Sequence, residues 1–490
     1  MPCTTLLVGK NASYDGSTII GRNDDSPSGI FTEKKLVLYK KESMPKVYRS
    51  VLSHVEIPLP ENPLDFTGMP SVDKKEGIWA ACGVNEENVG MTATETITSN
   101  ARVLGADPLV EYVPKKRGQK EVKGGIGEED LVYIVLPYIH SAREGVLRLG
   151  SLLEKYGTYE SNGIAFSDEN EIWWLESIGG HHWIAKRVPD DSYVVMPNQF
   201  GLDNFDFEDA FSTKKDNLCS ADLREFVKDN HLALDVDGKF NPRLAFGSHD
   251  DSDHVYNTPR AWYMERYFNP RSNKWDGIDA DYTPESDDIP WCRKPERKIT
   301  IEDTKYVLSS HYQGTMYDPY KKYGDNSNKG AYRPIGISRT SFLGIVQIRP
   351  YGRKELRAIE WFAFASNAFN ALVPLFSHAS KIPTYYSNTT LTVDTNNFYW
   401  ASRLISALAD SHFQTCEIQI ERYQNAVASL SHQYIDEIDK MTDIDDVDAA
   451  ILKINQKIAD MAKKETDKAL SKVLYDSSCH MKNSYSRSDN

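Results

Sequence analysis

Several features that mark specialised protein classes are missing from this 490-residue chain. Lysine and arginine (57) are outnumbered by aspartate and glutamate (71), and there is no long basic run. A formal net charge of -14 therefore argues against nucleic acid or an anionic membrane as the main partner. No uninterrupted apolar run is long enough to cross a bilayer. We expect the partners to be small molecules or other proteins.

Cysteine is also scarce, and its spacing is irregular. The chain contains no CxxC pair, and its six cysteines are Cys3, Cys82, Cys219, Cys292, Cys416 and Cys479. This pattern favours free thiols over a disulfide framework or a zinc site. The N-terminus lacks the basic start, apolar stretch and small-residue cleavage site of a secretory signal, so we expect a cytoplasmic protein.

The first hundred residues are rich in strand-forming segments. Residues 4–9 and 17–21 flank the turn-forming segment KNASYDGS, which predicts a β-hairpin. Residues 35–58 continue the strand-like pattern, and GIWAACGVNEENVGMTATETI predicts two further short strands around a polar turn.

The middle of the chain changes from helix to strand. DLVYIVLPYIHSAREGVLRLGSLLEKYG has helical spacing of apolar residues, with Pro137 as a break and Gly157 as a C-cap. EIWWLESIGGHHWIAKRVPDDSYVVMPNQF predicts three consecutive strands in a meander. Residues 240–300 are rich in Asp, Pro and Asn, which predicts ordered surface loops.

The last third is mainly helical. Thr300 and Asp303 resemble a capping box for a helix through residue 309, and strands follow in SFLGIVQIRP and AIEWFAFAS. Residues 399–440 and 445–474 show helical periodicity, with a stripe that includes Ile451, Ile454 and Ile458. Such long β-rich stretches around a helical pair predict an α+β or layered sandwich architecture.

One constellation in the N-terminal hairpin has the residue types of a thiol nucleophile site. Pairing of the two strands is expected to bring Arg22 and Asp25 beside Cys3. A guanidinium favours the thiolate, and a carboxylate can orient a terminal ammonium group. The alternative, from the residues alone, is a surface ion pair between Arg22 and Asp25 at a turn.

The same segment, CTTLLVGKNASYDGSTIIGRNDDS, resembles the opening of the dipeptidase A and secernin family of N-terminal nucleophile (Ntn) hydrolases. The likeness continues through LPYIHSAREGV, the three-strand segment above and YNTPRAWYMERYF, and it covers most of the chain to about residue 400. Choloylglycine hydrolases and penicillin V acylases are more distantly similar, and share an Arg-Asn-x-Asp motif that matches Arg22 to Asp25.

The resemblance implies a four-layer αββα sandwich over residues 1–400, with a helical C-terminal extension over residues 401–490. It also implies that Cys3 is the nucleophile and that its own α-amino group is the general base. An α-amine with a pKa of roughly 7.7–8.0 suits that task. Because the amine must be free, Met1–Pro2 would be a short propeptide that has to be removed.

The resemblance further assigns roles to residues outside the hairpin. Asn198 matches an oxyanion-binding asparagine, although a strand-end cap is the alternative from the residues alone. Arg260 matches a site arginine, with a helix N-terminal ion pair as the alternative. Glu95, with Thr94, occupies the position of an asparagine in the acylase relatives. We hypothesise that these two residues bind the α-ammonium group of a dipeptide, the alternative being an exposed strand glutamate.

The function that we expect is therefore a cytosolic cysteine dipeptidase of broad specificity, needing no cofactor or metal and forming a homo-oligomer. The segment GSHDDSDH has metal-ligand density, but it lacks HExxH spacing and reads as a polar turn. Two alternatives stay open: an Ntn amidase or acylase of choloylglycine hydrolase type, and a secernin-like interaction protein without peptidase activity.

Overall fold

The computed structural model describes residues 3–441 and 444–483, apart from the side chain of Thr94. The expected propeptide, Met1–Pro2, lies outside the described residues.

Most strands, numbered in chain order, belong to two antiparallel sheets. A seven-stranded sheet contains, from edge to edge, β14 (Cys292–Arg293), β12 (Tyr193–Met196), β1 (Cys3–Val8), β2 (Thr18–Asp25), β15 (Thr340–Ile348), β16 (Ala358–Phe364) and β17 (Val373–Phe376). A six-stranded sheet contains β13 (Asn217–Cys219), β11 (His182–Arg187), β10 (Ile172–Ile178), β9 (Asn162–Ser167), β8 (Gly90–Thr96) and β7 (Cys82–Val84). Two ribbons pair β3 (Val37–Tyr39) with β6 (Phe66–Gly68), and β4 (Val47–Arg49) with β5 (Glu56–Pro58).

The helices are distributed along the whole chain. They are α1 (Ala101–Ala106), α2 (Leu131–Val135), α3 (Ala142–Tyr156), α4 (Phe207–Phe211), α5 (Leu223–Asp229), α6 (Pro242–Phe246), α7 (Asp253–Tyr256), α8 (Thr258–Phe268), α9 (Ile301–Leu308), α10 (Lys354–Arg357), α11 (Thr384–Ser387), α12 (Phe398–Asp410), α13 (Phe413–Asp439) and α14 (Val447–Cys479).

The predicted N-terminal hairpin is confirmed as β1 and β2. Cys3 lies opposite Asp24, and Thr5 lies opposite Arg22. β15 pairs with the other edge of β2, so β2 is a central strand, and all of its residues are buried. Strong β-formers in β1 and a Gly-containing turn explain why this segment folds locally.

The two large sheets pack against each other, and helices cover them. β1 and β2 contact β8 and β9, while β15 and β16 contact β7. α3 packs on β9, β10 and β11, and α9 packs on β1 and β2. In α3, a Cβ on Gly150 would lie 2.3 Å from the Trp183 ring, so glycine is needed for this close approach. The chain therefore has a mixed α+β architecture.

The predicted meander is wrong in its third strand. β10 and β11 form a hairpin, but β12 crosses to the seven-stranded sheet, where it pairs with β1. The strand pattern is local, whereas the sheet that a strand joins depends on long-range packing. This crossing brings the segment after β12, which includes Asn198, to the start of β1.

The loop prediction for residues 240–300 is also wrong in part, because α8 lies within it. Pro259 is in the first turn, which suits a helix start. Nearly every side chain of α8 is buried, including Arg260, Trp262 and Glu265. A helix buried all round has no polar face, so its sequence lacks amphipathic periodicity.

Other helical predictions are confirmed. Gly157 caps α3 with a φ of 67°, and Thr300 and Asp303 form a capping box at α9. In the C-terminal third, α12, α13 and α14 pack on one another and on β16 and β17, with the stripe of Ile451, Ile454 and Ile458 buried. The predicted helix over residues 399–440 is divided between α12 and α13. The domain boundary at residue 400 stays a prediction. None of the helices in the described ranges combines the length and apolarity required to traverse a bilayer.

Candidate active site

Cys3 stands at the start of β1 and has no exposed surface. The Nη2 atom of Arg22, from β2, contacts the Cys3 sulfur. Nη1 of the same guanidinium donates to the carbonyl oxygen of Ala81, at 3.1 Å, and to that of Ala93 in β8. Arg22 therefore links the Cys3 thiol to the backbone of the facing sheet.

The Arg22 guanidinium belongs to a buried network of charges. Its Nη2 lies 3.3 Å from Asp24 and 3.5 Å from Glu128. Asp24 also pairs with the fully buried Lys34, at 3.0 Å. Arg22, Asp24 and Glu128 thus lie around the sulfur, Lys34 pairs with Asp24 behind them, and each charge has an opposite partner, as burial requires.

These neighbours set the protonation of the thiol. Burial raises the pKa of Cys3 well above its usual range, and the charge of Arg22 offsets only part of that effect. Burial likewise opposes ionisation of Asp24, but Lys34 and Arg22 hold the pKa of its carboxyl below its usual value. In this arrangement the thiol keeps its proton, so a base is needed to make it nucleophilic.

Asp24, not Asp25, is the carboxylate on the Cys3 side of β2. Side chains alternate along a strand, and Cys3 lies directly opposite Asp24. Asp25 faces the other way, where it pairs with Arg333 and accepts from the Thr340 hydroxyl at 2.6 Å. The expectation that the hairpin brings Asp25 beside the thiol is therefore corrected by one residue.

Two predicted residues from distant segments meet at the backbone of Cys3. The Cys3 amide nitrogen donates to Oδ1 of Asn198 at 3.1 Å. Arg260 donates from Nη1 to the Cys3 carbonyl oxygen and, at 2.6 Å, to the Thr4 hydroxyl. Its Nη2 donates to Asn198 Oδ1 at 2.9 Å. Cys3, Asn198 and Arg260 thus form one connected group.

Asn257, just before α8, locks this group in place. Its Oδ1 accepts from the Asn198 amide nitrogen at 3.1 Å and from Arg260 Nη2 at 2.7 Å. The Asn198 side-chain amide donates to the carbonyl oxygen of Thr96 at 3.0 Å. Because that donor points at Thr96 here, the role of Asn198 as an oxyanion donor stays a prediction.

Glu95 lies beside the same group and is fully buried. It accepts from the Thr5 hydroxyl at 2.6 Å and from the Asn198 amide at 3.4 Å. Burial raises the pKa of its carboxyl to about 8, although Arg22 acts in the opposite direction. The exposed strand position that was the alternative does not occur. The side chain of Thr94 lies outside the described residues.

An acidic loop ahead of α2 supplies a carboxylate that sequence reasoning missed. Glu128 reaches Arg22, and its backbone nitrogen donates to the Glu160 carboxylate at 2.8 Å. Glu129 and Asp130 are buried behind it and accept from the hydroxyls of Tyr159 and Tyr48, each at 2.6 Å. Burial raises the pKa of both carboxyls.

A metal-like set of ligand atoms occurs at the thiol. Ligand atoms of Cys3, Asp24 and Glu128 lie within 4.8 Å of one another, the one such group of three in the described ranges. The guanidinium of Arg22 contacts all three side chains, so a cationic group already fills the position that a metal ion would take. The segment over residues 247–254 supplies no such group within the described part of the chain.

An open cavity of about 640 Å³ borders Asn198 and Asn257. Its lining includes Thr96, Ser248 and Tyr256. The Tyr256 ring also lies against the guanidinium groups of Arg260, at 5.2 Å, and Arg333, at 4.9 Å. The polar segment GSHDDSDH, which the sequence indicated only as a turn, thus forms one wall of a cavity that borders Asn198.

Comparison of the sequence with models of protein families identifies the family of this chain. The family model described as peptidase family C69 matches residues 2–426. The chain belongs to peptidase family C69. The C69 match includes every candidate site residue and ends within α13.

Several relatives are similar over all or nearly all of their length. A protein named dipeptidase from Bifidobacterium longum (strain NCC 2705) is 53% identical over 532 residues, covering 100% of both chains. One named probable dipeptidase A from Streptococcus pyogenes serotype M3 is 52% identical over 491 residues, again covering 100% of both. Dipeptidase A of Lactobacillus helveticus is 40% identical over 479 residues, covering 96% of each chain.

The C69 chain brings together more residues than its sequence indicated. Cys3, Arg22, Asn198, Arg260 and Glu95 converge as predicted, while Asp25 lies on the far face of β2. The residues that sequence reasoning missed are Asp24, Lys34, Glu128, Asn257 and Arg333. Asp24 was visible within the RNDD motif, but which of its two aspartates faces the thiol depends on strand register.

Proposed function

We propose that this C69 chain is a cysteine dipeptidase that hydrolyses a broad range of dipeptides. The observation that carries the proposal is the placement of Cys3, whose sulfur contacts Arg22 and whose backbone nitrogen is held by Asn198. The names of the relatives at 52–53% identity, dipeptidase and probable dipeptidase A, agree with it.

The proposal includes a fold and a domain division. Two sheets that face each other, with α3 on one and α9 on the other, support a four-layer αββα sandwich of the Ntn-hydrolase type. Residues 1–400 would form the catalytic domain, and residues 401–490 the helical extension.

Maturation would release Met1 and Pro2 and leave the α-amino group of Cys3 free. This amine would then take the proton of the adjacent thiol. An α-amine with a pKa of roughly 7.7–8.0 can accept a proton near neutrality. Burial raises the pKa of the thiol, so an adjacent base is required, while Arg22 stabilises the thiolate that forms.

The thiolate would attack the peptide carbonyl carbon and form a C–S bond and a tetrahedral oxyanion. Collapse breaks the C–N bond, and the protonated α-amine gives its proton to the leaving amine. Water, deprotonated by the same amine, then cleaves the thioester and restores the thiol. Two peptide fragments, here two amino acids, leave the site.

The surrounding polar groups have separate roles in this proposal. Asn198 would turn its amide donor toward the oxyanion once substrate is present. Arg260 would fix the carbonyl end of Cys3, because its guanidinium is anchored by Asn257. Asp25, held by Arg333, would support the strand end from the far side.

Specificity for dipeptides would come from Glu95, with Thr94. Its carboxylate lies within the Cys3 group, bonded to Thr5 and to Asn198. A substrate α-ammonium group would replace part of that internal bonding. Burial raises the pKa of the Glu95 carboxyl and so favours its neutral form. A substrate ammonium group beside it would favour the ionised form.

A reducing compartment such as the cytoplasm suits the thiol chemistry. All six cysteines are unpaired. Free thiols of this kind are typical of reducing compartments. We also propose a homo-oligomer, which sedimentation analysis would test.

The test combines the N-terminus of the purified protein with a substrate panel. Intact mass and N-terminal sequencing are expected to give Cys3 as the first residue of active protein. Turnover of Ala-Ala and Leu-Leu is expected to persist in the presence of a chelator. Activity from protein that begins with Met1 or Pro2 would contradict the mechanism.

The same panel separates the alternatives. Turnover of N-acyl amides without dipeptide cleavage would indicate an amidase or acylase. Correctly trimmed protein that cleaves neither class would indicate an interaction protein of the secernin-like kind.

A further inference from the structure

A second cavity, of about 360 Å³, lies between α9 and α13, away from Cys3. Its size is in the range of small-molecule pockets, roughly 300–1,000 Å³. Apolar side chains from both sides line it, including Ile301, Leu372, Ile420 and Ala428.

Lys305 of α9 also lines this cavity. Its Nζ donates to the Ser309 hydroxyl and to the Asn367 carbonyl oxygen, each at 2.8 Å. Both partners are neutral, and within the described ranges no carboxylate lies at ion-pair distance from Nζ. Burial lowers the pKa of Lys305 to about 7. An ammonium group without an anion is costly in such a place, so the site favours an anionic ligand.

Carboxylates occur on the opposite wall, one turn apart on α13. Glu417 and Glu421 are exposed and line the cavity, and neither forms an ion pair within the described part of the chain. The third glutamate of the lining, Glu302, already has a hydrogen-bonded partner in His432 at 2.6 Å. Among the described residues, the cavity therefore presents one amine without an anionic partner and two carboxylates without a cationic partner, around an apolar lining.

We infer that this cavity binds a free α-amino acid with an aliphatic side chain. The ligand carboxylate would pair with Lys305, the ammonium group with Glu417 and Glu421, and the side chain would contact Ile420 and Leu372. This site is separate from Cys3, and its occupancy does not depend on the proposed function.

Ligand binding at this site should be coupled to proton uptake. A carboxylate beside Lys305 raises the pKa of the amine, so the complex takes up a proton when binding occurs above pH 7. The titratable groups facing the cavity with Lys305 are Glu302, Tyr306, His311, Asp318, Glu417 and Glu421. His311 is paired with Asp318 at 2.8 Å.

Calorimetry of the full chain with L-leucine at pH 8, in two buffers of different ionisation enthalpy, tests the inference. We expect binding with net proton uptake. Leucinamide lacks the carboxylate and 4-methylpentanoate lacks the ammonium group, so each should bind at least about tenfold more weakly.

Variants locate the site and control for folding. Lys305→Met should weaken leucine binding at least about tenfold and abolish proton uptake. Ala428→Trp, which fills the cavity without changing its charge, should also weaken binding, whereas the exposed Lys464→Met should not. Glu417→Gln with Glu421→Gln should weaken leucine but not 4-methylpentanoate. Failure of leucine to bind at millimolar concentration, or unchanged binding and proton uptake in Lys305→Met, would overturn the inference.

Discussion

The two faces of β2 carry different polar networks, although the residues of both come from the four consecutive positions 22–25. On one face, Arg22 and Asp24 belong to a network of charges around the Cys3 thiol. On the other face, Asn23 donates to the carbonyl oxygens of Leu308, at 2.7 Å, and Ile335, at 3.1 Å.

The comparison indicates that the two faces of this one strand have different roles. The face toward the other sheet holds the candidate nucleophile and its cation. The opposite face anchors the strand through the hydrogen bonds of Asn23 and the ion pair between Asp25 and Arg333. Substitutions on the first face should therefore change chemistry, and Asn23 on the second should mainly change stability.

The largest effect is expected from Cys3→Ala. Loss of the nucleophile should lower kcat/KM for Leu-Leu by at least about 10⁴-fold, while the small buried side chain leaves the melting temperature nearly unchanged. Steady-state kinetics and a thermal melt measure the two quantities. Cys479→Ser, at the exposed end of α14, is the matched control and should retain activity. Appreciable turnover by Cys3→Ala would remove the proposed mechanism.

Arg22→Met should have the next largest effect, this time on both properties. Removing the guanidinium leaves Asp24 and Glu128 without their shared cation, which should lower the free energy of unfolding by about 3–5 kcal/mol. Turnover should be lost as well, since Arg22 is the cation at the sulfur. Chemical denaturation measures the stability. Arg22→Lys keeps the charge and should recover part of the lost free energy of unfolding. Equal stability of Arg22→Met and wild type would contradict a buried charge network.

Asn23→Ala should separate the two faces. It removes the donor to two buried carbonyl oxygens, so the free energy of unfolding should fall by about 1–3 kcal/mol. Turnover per folded molecule should change little, because no atom of Asn23 contacts the Cys3 group in the described hydrogen bonds. Denaturation and kinetics at low temperature measure both, with the exposed Asn396→Ala as control. A loss of turnover comparable to that of Arg22→Met would erase the distinction.

Glu95→Gln should change specificity. Loss of a charged partner for the substrate ammonium should lower kcat/KM for dipeptides by about 10–100-fold. N-acetylated dipeptides, which lack the ammonium, should be affected much less. Kinetics with matched free and acetylated Leu-Leu measure the ratio. An equal loss on both substrates would exclude the proposed ammonium site.

The smallest expected effect is on the pH dependence of stability. Burial raises the pKa of Glu95 to about 8. The folded chain therefore holds this proton at pH values where the unfolded chain has released it. Its contribution to stability is fully present below the unfolded pKa and is lost as pH rises toward 8. Unfolding of wild type and Glu95→Gln across pH 5–8 should show a flatter profile for the variant; parallel profiles would contradict the raised pKa.

Much of the local structure was predictable. The β1–β2 hairpin, the helix before Gly157 and the capping box at Thr300 follow from short patterns whose interactions lie within a few residues. Failures occurred where the local signal was absent. α8 is buried all round and so lacks periodicity, and β12 resembles any other strand until its partner is known.

The residues of the candidate site likewise fall into those that local patterns predicted and those that they did not. Cys3 and Arg22 were found from the hairpin, because antiparallel pairing places them close together. The sequence analysis named Asp25 as the carboxylate beside the thiol, whereas Asp24 lies opposite Cys3, because a shift of one residue changes the face of the strand. Lys34 and Glu128 carried no motif, and Asn257 lies within YNTPRAWYMERYF but was assigned no role from the sequence.

The sequence by itself determined the strand and helix patterns, the N-terminal hairpin with its thiol and cation, and, through resemblance, the peptidase family. Only the tertiary structure decided which carboxylate faces the sulfur and that Asn198 and Arg260, 195 and 257 residues from Cys3, meet at its backbone. The physical reason is that hydrophobic periodicity acts over a few residues, whereas strand register, sheet membership and burial of charge are fixed only when distant segments pack together.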